Sequence, residues 1–316
     1  MSAPQSLIRA CRALRAARAT AAAAAAAPAC VALIPNTTTS TTTRTSTTTS
    51  TRPYSSSSRS ADAPLPEPQA PGVIEMRRYT LHPAGARDYL RLTQQSAAAR
   101  TRHLPLLGFF APELGHDLNT YSHFYAYPGG LDERAERRKA AAEDPEWQAY
   151  VSESRPHVAQ QRNAALVEWP TLYGAAGGAW GSAAEFAARC SEAADGKPGV
   201  FEMRTYRLAA TASIRKLVRA FEEGLPAKAE AAAKELGGDQ QPQQQQQLAL
   251  FGSVEVGDVD TVVELWRYPS AEACARARRA ARLAPEWKRA VSSVAPGVSQ
   301  FRCQLLTPVV PLSPMR

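Results

Sequence analysis

The chain has no Cys-x-x-Cys pair, no Gly-rich phosphate loop, no nucleophile elbow and no apolar run long enough to cross a membrane. Its five cysteines, Cys11, Cys30, Cys190, Cys274 and Cys303, are too scattered for a disulfide framework or a zinc site, and reduced thiols are expected. The five histidines, His82, His103, His116, His123 and His157, show no ligand spacing, so neither a metal nor another cofactor is expected. Acid is missing in one place: no Asp or Glu precedes Asp62. Residues 1–60 carry seven arginines, which leaves 30 basic against 29 acidic residues in the remainder, so seven of the eight formal positive charges belong to the leader. Nucleic acid is excluded as an expected partner, because phosphate binding needs a concentrated positive field.

The leader reads as an address. In MSAPQSLIRACRALRAARAT, Leu7, Cys11 and Leu14 fall on one side of a helix while Arg9, Arg12 and Arg15 sweep the other. An acid-free, Arg-rich amphipathic helix has the composition of a mitochondrial transit peptide. The alternative is a secretory signal with Ala21–Ile34 as its apolar core, a segment that is mostly alanine and is broken by Pro28. A Ser/Thr tract follows and is expected to be disordered. Within it Arg52-Pro53-Tyr54-Ser55 suggests cleavage between Tyr54 and Ser55. The expected division is a transit peptide over 1–54, a disordered Ser/Pro-rich spacer over 55–71, a first domain over 72–173, a linker over 174–198 and a second domain over 199–310. Localisation is expected in the mitochondrion, in the matrix or associated with the inner membrane.

The two domains follow from a repeat. VIEMRRYTL (Val73–Leu81) returns as VFEMRTYRL (Val200–Leu208), HFYAYP (His123–Pro128) as ELWRYP (Glu264–Pro269), and DPEW (Asp144–Trp147) as APEW (Ala284–Trp287). The offset grows from 127 to 141 and then 140, which the Gln-rich loop over 237–247 of the second copy accounts for. Each copy reads strand, helix, strand, strand, helix, strand. The first has strands at Ile74–Leu81, Leu106–Leu114, Thr120–Tyr127 and Ala165–Leu172, with helices over Gly85–His103 and from about Asp132, restarting at Asp144-Pro145. In the second, Ser213–Leu236 is helical and Phe301–Thr307 is the closing strand. The fold class is therefore α+β: two tandem ferredoxin-like βαββαβ units, each covering the other's bare sheet face to close an intrachain dimeric α/β barrel behind a disordered leader.

Glu-x-Arg-x-Tyr in the first strand, Gly108–Phe110, Leu118-Asn119 before His123–Pro128, and Asp144-Pro145-Glu146-Trp147 make the first copy similar to the NIPSNAP family of the dimeric α/β-barrel group. The second copy departs from that pattern at Glu264, at Ala284 and in the Gln insertion, which suggests a packing partner. The resemblance implies a mitochondrial protein, with proposed family roles in mitochondrial quality control and vesicle transport, and brings no settled activity. It points to a non-enzymatic binding or interaction protein. The alternative is a cofactor-independent monooxygenase or isomerase that uses the barrel cavity. Protein partners, a small-molecule ligand in the barrel and a homo-oligomer are the expected associations.

Strand alternation sorts the candidate site residues. Glu75, Arg77 and Tyr79 share one face of the first strand, opposite Ile74 and Met76. His123 and Tyr125 align on the third, and Glu202, Arg204 and Tyr206 repeat the first set. If the Met face packs on the helices, the Glu/Arg/Tyr face points into the barrel, with Arg77 as anion anchor and His123 as proton carrier. The competing reading is a structural face neutralised by its own ion pairs. Trp147 and Trp287 are expected to be helix-to-sheet core residues.

Overall fold

The computed structural model describes residues 72–115, 117–192, 198–237 and 246–316. The expected transit peptide with its expected cleavage between Tyr54 and Ser55, the spacer and most of the Gln-rich loop lie outside the described residues. The first unit runs β1 (Val73–Leu81), α1 (Ala86–Gln95), α2 (Ala97–His103), β2 (Leu106–Leu114), β3 (Thr120–Tyr127), α3 (Gly130–Glu143), α4 (Pro145–Ser154) and β4 (Val158–Glu168). Two short helices, α5 (Thr171–Ala175) and α6 (Ala183–Glu192), lead to the second unit. That unit comprises β5 (Val200–Leu208), α7 (Ile214–Leu236), β6 (Gln247–Val256), β7 (Thr261–Tyr268), α8 (Ala271–Leu283), α9 (Pro285–Val294) and β8 (Val298–Pro308).

The eight strands close one antiparallel barrel in the order β1-β3-β2-β8-β5-β7-β6-β4. Each unit contributes four consecutive strands in the split-βαβ order, and the seams are β2–β8 and β4–β6. Neither four-stranded sheet has a free edge left, which removes the exposed backbone groups that promote aggregation.

The helix starts follow local chemistry. Asp144 caps α4 by accepting from the amides of Glu146 (2.8 Å) and Trp147 (3.4 Å), with Pro145 at the first helical position. Ala284 at the equivalent place leaves α9 without a side-chain cap. The predicted helix over Gly85–His103 is broken at Ser96 into α1 and α2. The last strand of the first unit starts at Val158, earlier than expected, and stops at Glu168, where Thr171–Ala175 turns helical. Its early part, Ala159–Asn163, is exposed and polar, so burial gave no hydrophobic signal there.

The linker is more than a connection. Ala183, Phe186 and Ala187 of α6 are buried against the barrel interior, as is Met315 of the C-terminal tail. In the second unit α7 is pressed onto α9: a Cβ placed on Gly224 would lie 2.5 Å from the Ala290 Cβ and 3.0 Å from the Trp287 ring. Gly→Ala inside a helix ordinarily gains about 1 kcal/mol. Here Gly224→Ala is expected to lose about 1–3 kcal/mol through overpacking, read as a lowered urea midpoint at unchanged slope.

Candidate ligand site

The two faces of the sheets are assigned by their contacts. Ile74, Met76 and Phe124 of the first unit cluster with Phe201, Met203 and Leu265 of the second, so the methionine face fills the barrel. Tyr125 on β3 instead receives a hydrogen bond from Arg100 of α2, at 2.6 Å. The expectation that Glu75, Arg77, Tyr79, His123 and Tyr125 point into the barrel is therefore corrected: they lie between sheet and helices. The reason is physical. Where two sheets meet face to face there is no partner for a charge, so that face is apolar. Charged strand residues are placed where helices supply guanidinium and hydroxyl groups.

Glu75 is the hub of the face. It is 1% exposed, with Arg77 Nε at 3.0 Å, Arg134 Nη2 at 2.6 Å, Asn163 Nδ2 at 3.3 Å and Tyr127 Oη at 3.4 Å. Burial pushes its carboxyl up, but Arg134 and Arg77 together outweigh burial and hold it below its ordinary value.

Arg100 enters the same layer from α2, 4% exposed. It donates to Tyr125 Oη (2.6 Å), Tyr150 Oη (2.5 Å) and His123 Nδ1 (3.2 Å), and its guanidinium stands 5.5 Å from the Trp147 ring centre. His123 is fully buried between Phe109 (4.3 Å) and Tyr79 (4.9 Å). Burial, then Arg100 and Arg77, push its pKa well below the ordinary value, so the imidazole is neutral. Since Arg100 donates to Nδ1, the proton belongs on Nε2, which faces Tyr89 Oη at 3.5 Å.

Above this layer, between the sheet and α1, α2, α3 and α4, lies a cavity of about 490 Å³. Its lining residues include four arginines, Arg77, Arg100, Arg138 and Arg155, and no Asp or Glu. Two of them reach the Glu75 carboxylate beside the cavity, Arg77 Nε at 3.0 Å and Arg138 Nη1 at 4.0 Å. Tyr79, Tyr89, Trp147 and Tyr150 supply the aromatic surface. Arg77 Nη2 and Arg100 Nε are buried and have no hydrogen-bond partner. An unpartnered buried donor on a charged group costs more than a neutral one, and an anionic ligand would remove that cost.

Of the predicted residues, Arg77 and Tyr79 line this cavity, Glu75 supports Arg77, and His123 and Tyr125 lie behind the wall. His123 does not reach the cavity as the proton carrier foreseen for it. Arg100, Arg138, Arg155 and Tyr150 were missed, because strand alternation says nothing about residues on helices. Trp147 is half-buried and forms cavity wall, whereas Trp287 is core.

Glu202, Arg204 and Tyr206 do not join the first-unit cavity. Glu202 sits beneath the helices of its own unit, 3.0 Å from Arg204 Nε and 3.1 Å from Tyr268 Oη. Burial raises its carboxyl, while Arg204 and its other partners more than offset this and bring it to about 2. Tyr206 packs on Phe301 at 5.0 Å and Phe221 at 5.9 Å. Where Arg100 stands in the first unit, Lys228 of α7 stands in the second, with Nζ 3.4 Å from the Trp266 ring centre and no hydrogen-bond partner.

The NIPSNAP family model matches residues 74–172 and 201–314, one copy in each unit. The chain belongs to the NIPSNAP family. It is similar to human Protein NipSnap homolog 3A, 38% identical over 74 residues, which cover 23% of this chain and 30% of that protein. Mouse Protein NipSnap homolog 3B aligns more widely, at 25% identity over 76% of this chain and 83% of that one. A solved NIPSNAP family protein from Agrobacterium tumefaciens is 31% identical and covers 30% of this chain and 84% of its own, with a TM-score of 0.29. Among the described residues no helix is long and apolar enough to cross a membrane, and no group of three His, Cys, Asp or Glu could hold a metal ion.

Proposed function

We propose that this NIPSNAP protein is a non-enzymatic binding protein whose first unit takes up a small organic anion, while its second unit serves as the scaffold that closes the barrel. The observation that carries this reading is a cavity lined by four arginines and no acidic residue, two of which keep buried, unpartnered N–H groups. The ligand class is a carboxylate or phosphate on an aromatic or flat apolar body. Paired Arg77 and Arg100 would hold the charge, and Trp147 and Tyr150 would hold the body. The Arg-rich leader supports a mitochondrial address, and quality control or vesicle traffic through protein partners is the role that would connect the ligand to the cell.

Trp147 provides the readout. Titration with a series of aryl carboxylates and aryl phosphates should change its fluorescence saturably, and Arg77→Met should weaken binding at least tenfold. Equal affinity for neutral amides of the same compounds would defeat the proposal.

One contact favours a second reading, a cofactor-independent monooxygenase or isomerase: Tyr89 lines the cavity and its hydroxyl lies 3.5 Å from His123 Nε2. In that reading Tyr89 exchanges a proton with a bound substrate and His123 positions its hydroxyl. Turnover that is abolished in Tyr89→Phe while ligand affinity is kept would establish it.

A further inference from the structure

The four arginines of the first-unit cavity differ in what answers their charge. Arg77 and Arg138 reach the Glu75 carboxylate, at 3.0 and 4.0 Å. Arg100 is buried and joins no ion pair among the described residues. It donates to the Tyr125 and Tyr150 hydroxyls and to the neutral His123 ring, and its Nε has no hydrogen-bond partner. Arg155 is exposed at the cavity edge, and among the described residues it too joins no ion pair. Two positive charges in one cavity are thus left without a counter-charge, and like charges held together repel unless an anion lies between them.

The two cations lie at different levels of the sheet. Arg100 donates to His123 and Tyr125 of β3, which pair with Arg77 and Glu75 of β1. Arg155 opens the turn that delivers Val158 to Leu81, at the end of β1. Arg77 and Leu81 stand four residues apart, which is about 13 Å along a strand. Val158 lines the cavity, and so does Gln161, which pairs with Tyr79 between the two levels. The lining therefore continues from one cation level to the other. A single carboxylate seated at Arg77 and Arg100 leaves Arg155 unanswered, whereas a body long enough to run past Tyr79 brings a second anionic group to it.

We propose that the cavity takes an elongated dianion: a flat apolar body with one oxyanion group held by Arg77 and Arg100 and a second, at its far end, held by Arg155. This rests on the anion-binding reading of the cavity and narrows its ligand class. The Arg155 guanidinium meets the second group as a bidentate fork. Because Arg155 is exposed, solvent weakens this contact. It therefore changes affinity severalfold and sets selectivity, while the buried pair supplies most of the binding.

The probes are a long pair, biphenyl-4,4′-dicarboxylate and biphenyl-4-carboxylate, and a short pair, terephthalate and benzoate, titrated calorimetrically into the full chain at low salt. The long diacid is expected to bind at least fivefold more tightly than its monoacid. Terephthalate, too short to reach Arg155, should gain nothing over benzoate. In Arg155→Gln the long diacid should bind no more tightly than the monoacid, and in Arg77→Met both should weaken at least tenfold. Arg155 is exposed, so its substitution leaves the fold intact, which an unchanged far-ultraviolet circular dichroism spectrum verifies. Three results would overturn this inference and leave the anion-binding reading standing: equal affinity for the long diacid and monoacid in the parent, a diacid advantage that survives in Arg155→Gln, or an equal advantage of terephthalate over benzoate. Failure of every acid to bind would overturn both.

Discussion

Glu75→Ala is expected to destabilise the protein by about 3–5 kcal/mol, the range for removing one member of a buried ion-pair network. The carboxylate is 1% exposed and pairs with Arg77 (3.0 Å) and Arg134 (2.6 Å), so the substitution strands two cations at once. Urea unfolding measures the loss as a lower midpoint. The pH dependence follows from the sign of the shift. The Glu75 carboxyl is held below its ordinary 4.5, so its stabilisation is fully present above 4.5 and is lost as pH falls through the folded value. Glu202, brought to about 2, extends the same loss from 4.5 down to about 2. The variant should therefore show a shallower acid limb than the parent, and equal limbs would mean that Glu75 is not ionised in the fold.

Lys228→Met is expected to act in the opposite direction, raising stability by about 3 kcal/mol at neutral pH. Burial, then Arg204, bring the Lys228 ammonium down from 10.5 to about 7, with Glu264, Glu202 and Cys274 acting against them. Each unit of that depression costs about 1.4 kcal/mol, and the Trp266 face at 3.4 Å returns about 2 kcal/mol of it. Methionine fills a similar volume without the charge. A depressed lysine binds a proton in the unfolded chain but not in the fold between pH 7 and 10.5, so its penalty shrinks as pH rises through that window. The advantage of Lys228→Met over the parent should thus be largest near pH 7 and fade towards pH 10. A constant advantage across that range would show that the amine does not titrate there.

The contrast between the two units was legible from the chain, because His123 is answered by Glu264 and Asp144 by Ala284. The strands β1, β3 and β5 were legible because they are rich in β-branched and aromatic residues, and because apolar and polar residues alternate over Ile74–Arg77 and Phe201–Arg204. Their faces were separated correctly and oriented wrongly. Alternation tells which residues lie together but not whether a helix or a second sheet will cover them, and only contacts such as Arg100 to Tyr125 decide that. The cavity was least legible. Arg100, Arg138, Tyr150 and Arg155 come from segments that read as ordinary charged or mixed helix, and their convergence on Arg77 depends on how α2, α3 and α4 lie over the sheet. The linker gave little sign that Phe186 would enter the barrel core, since its neighbours are mostly alanine.

If the first-unit cavity holds a small anion and the second unit does not share that task, the ligand should travel with the purified protein. Native mass spectrometry of the chain purified gently from its natural source tests it most directly. A bound small molecule is expected at one per chain, lost in Val151→Trp and in Arg77→Met and retained in Lys228→Met. A parent protein without such a mass, or one that Val151→Trp leaves unchanged, would contradict it.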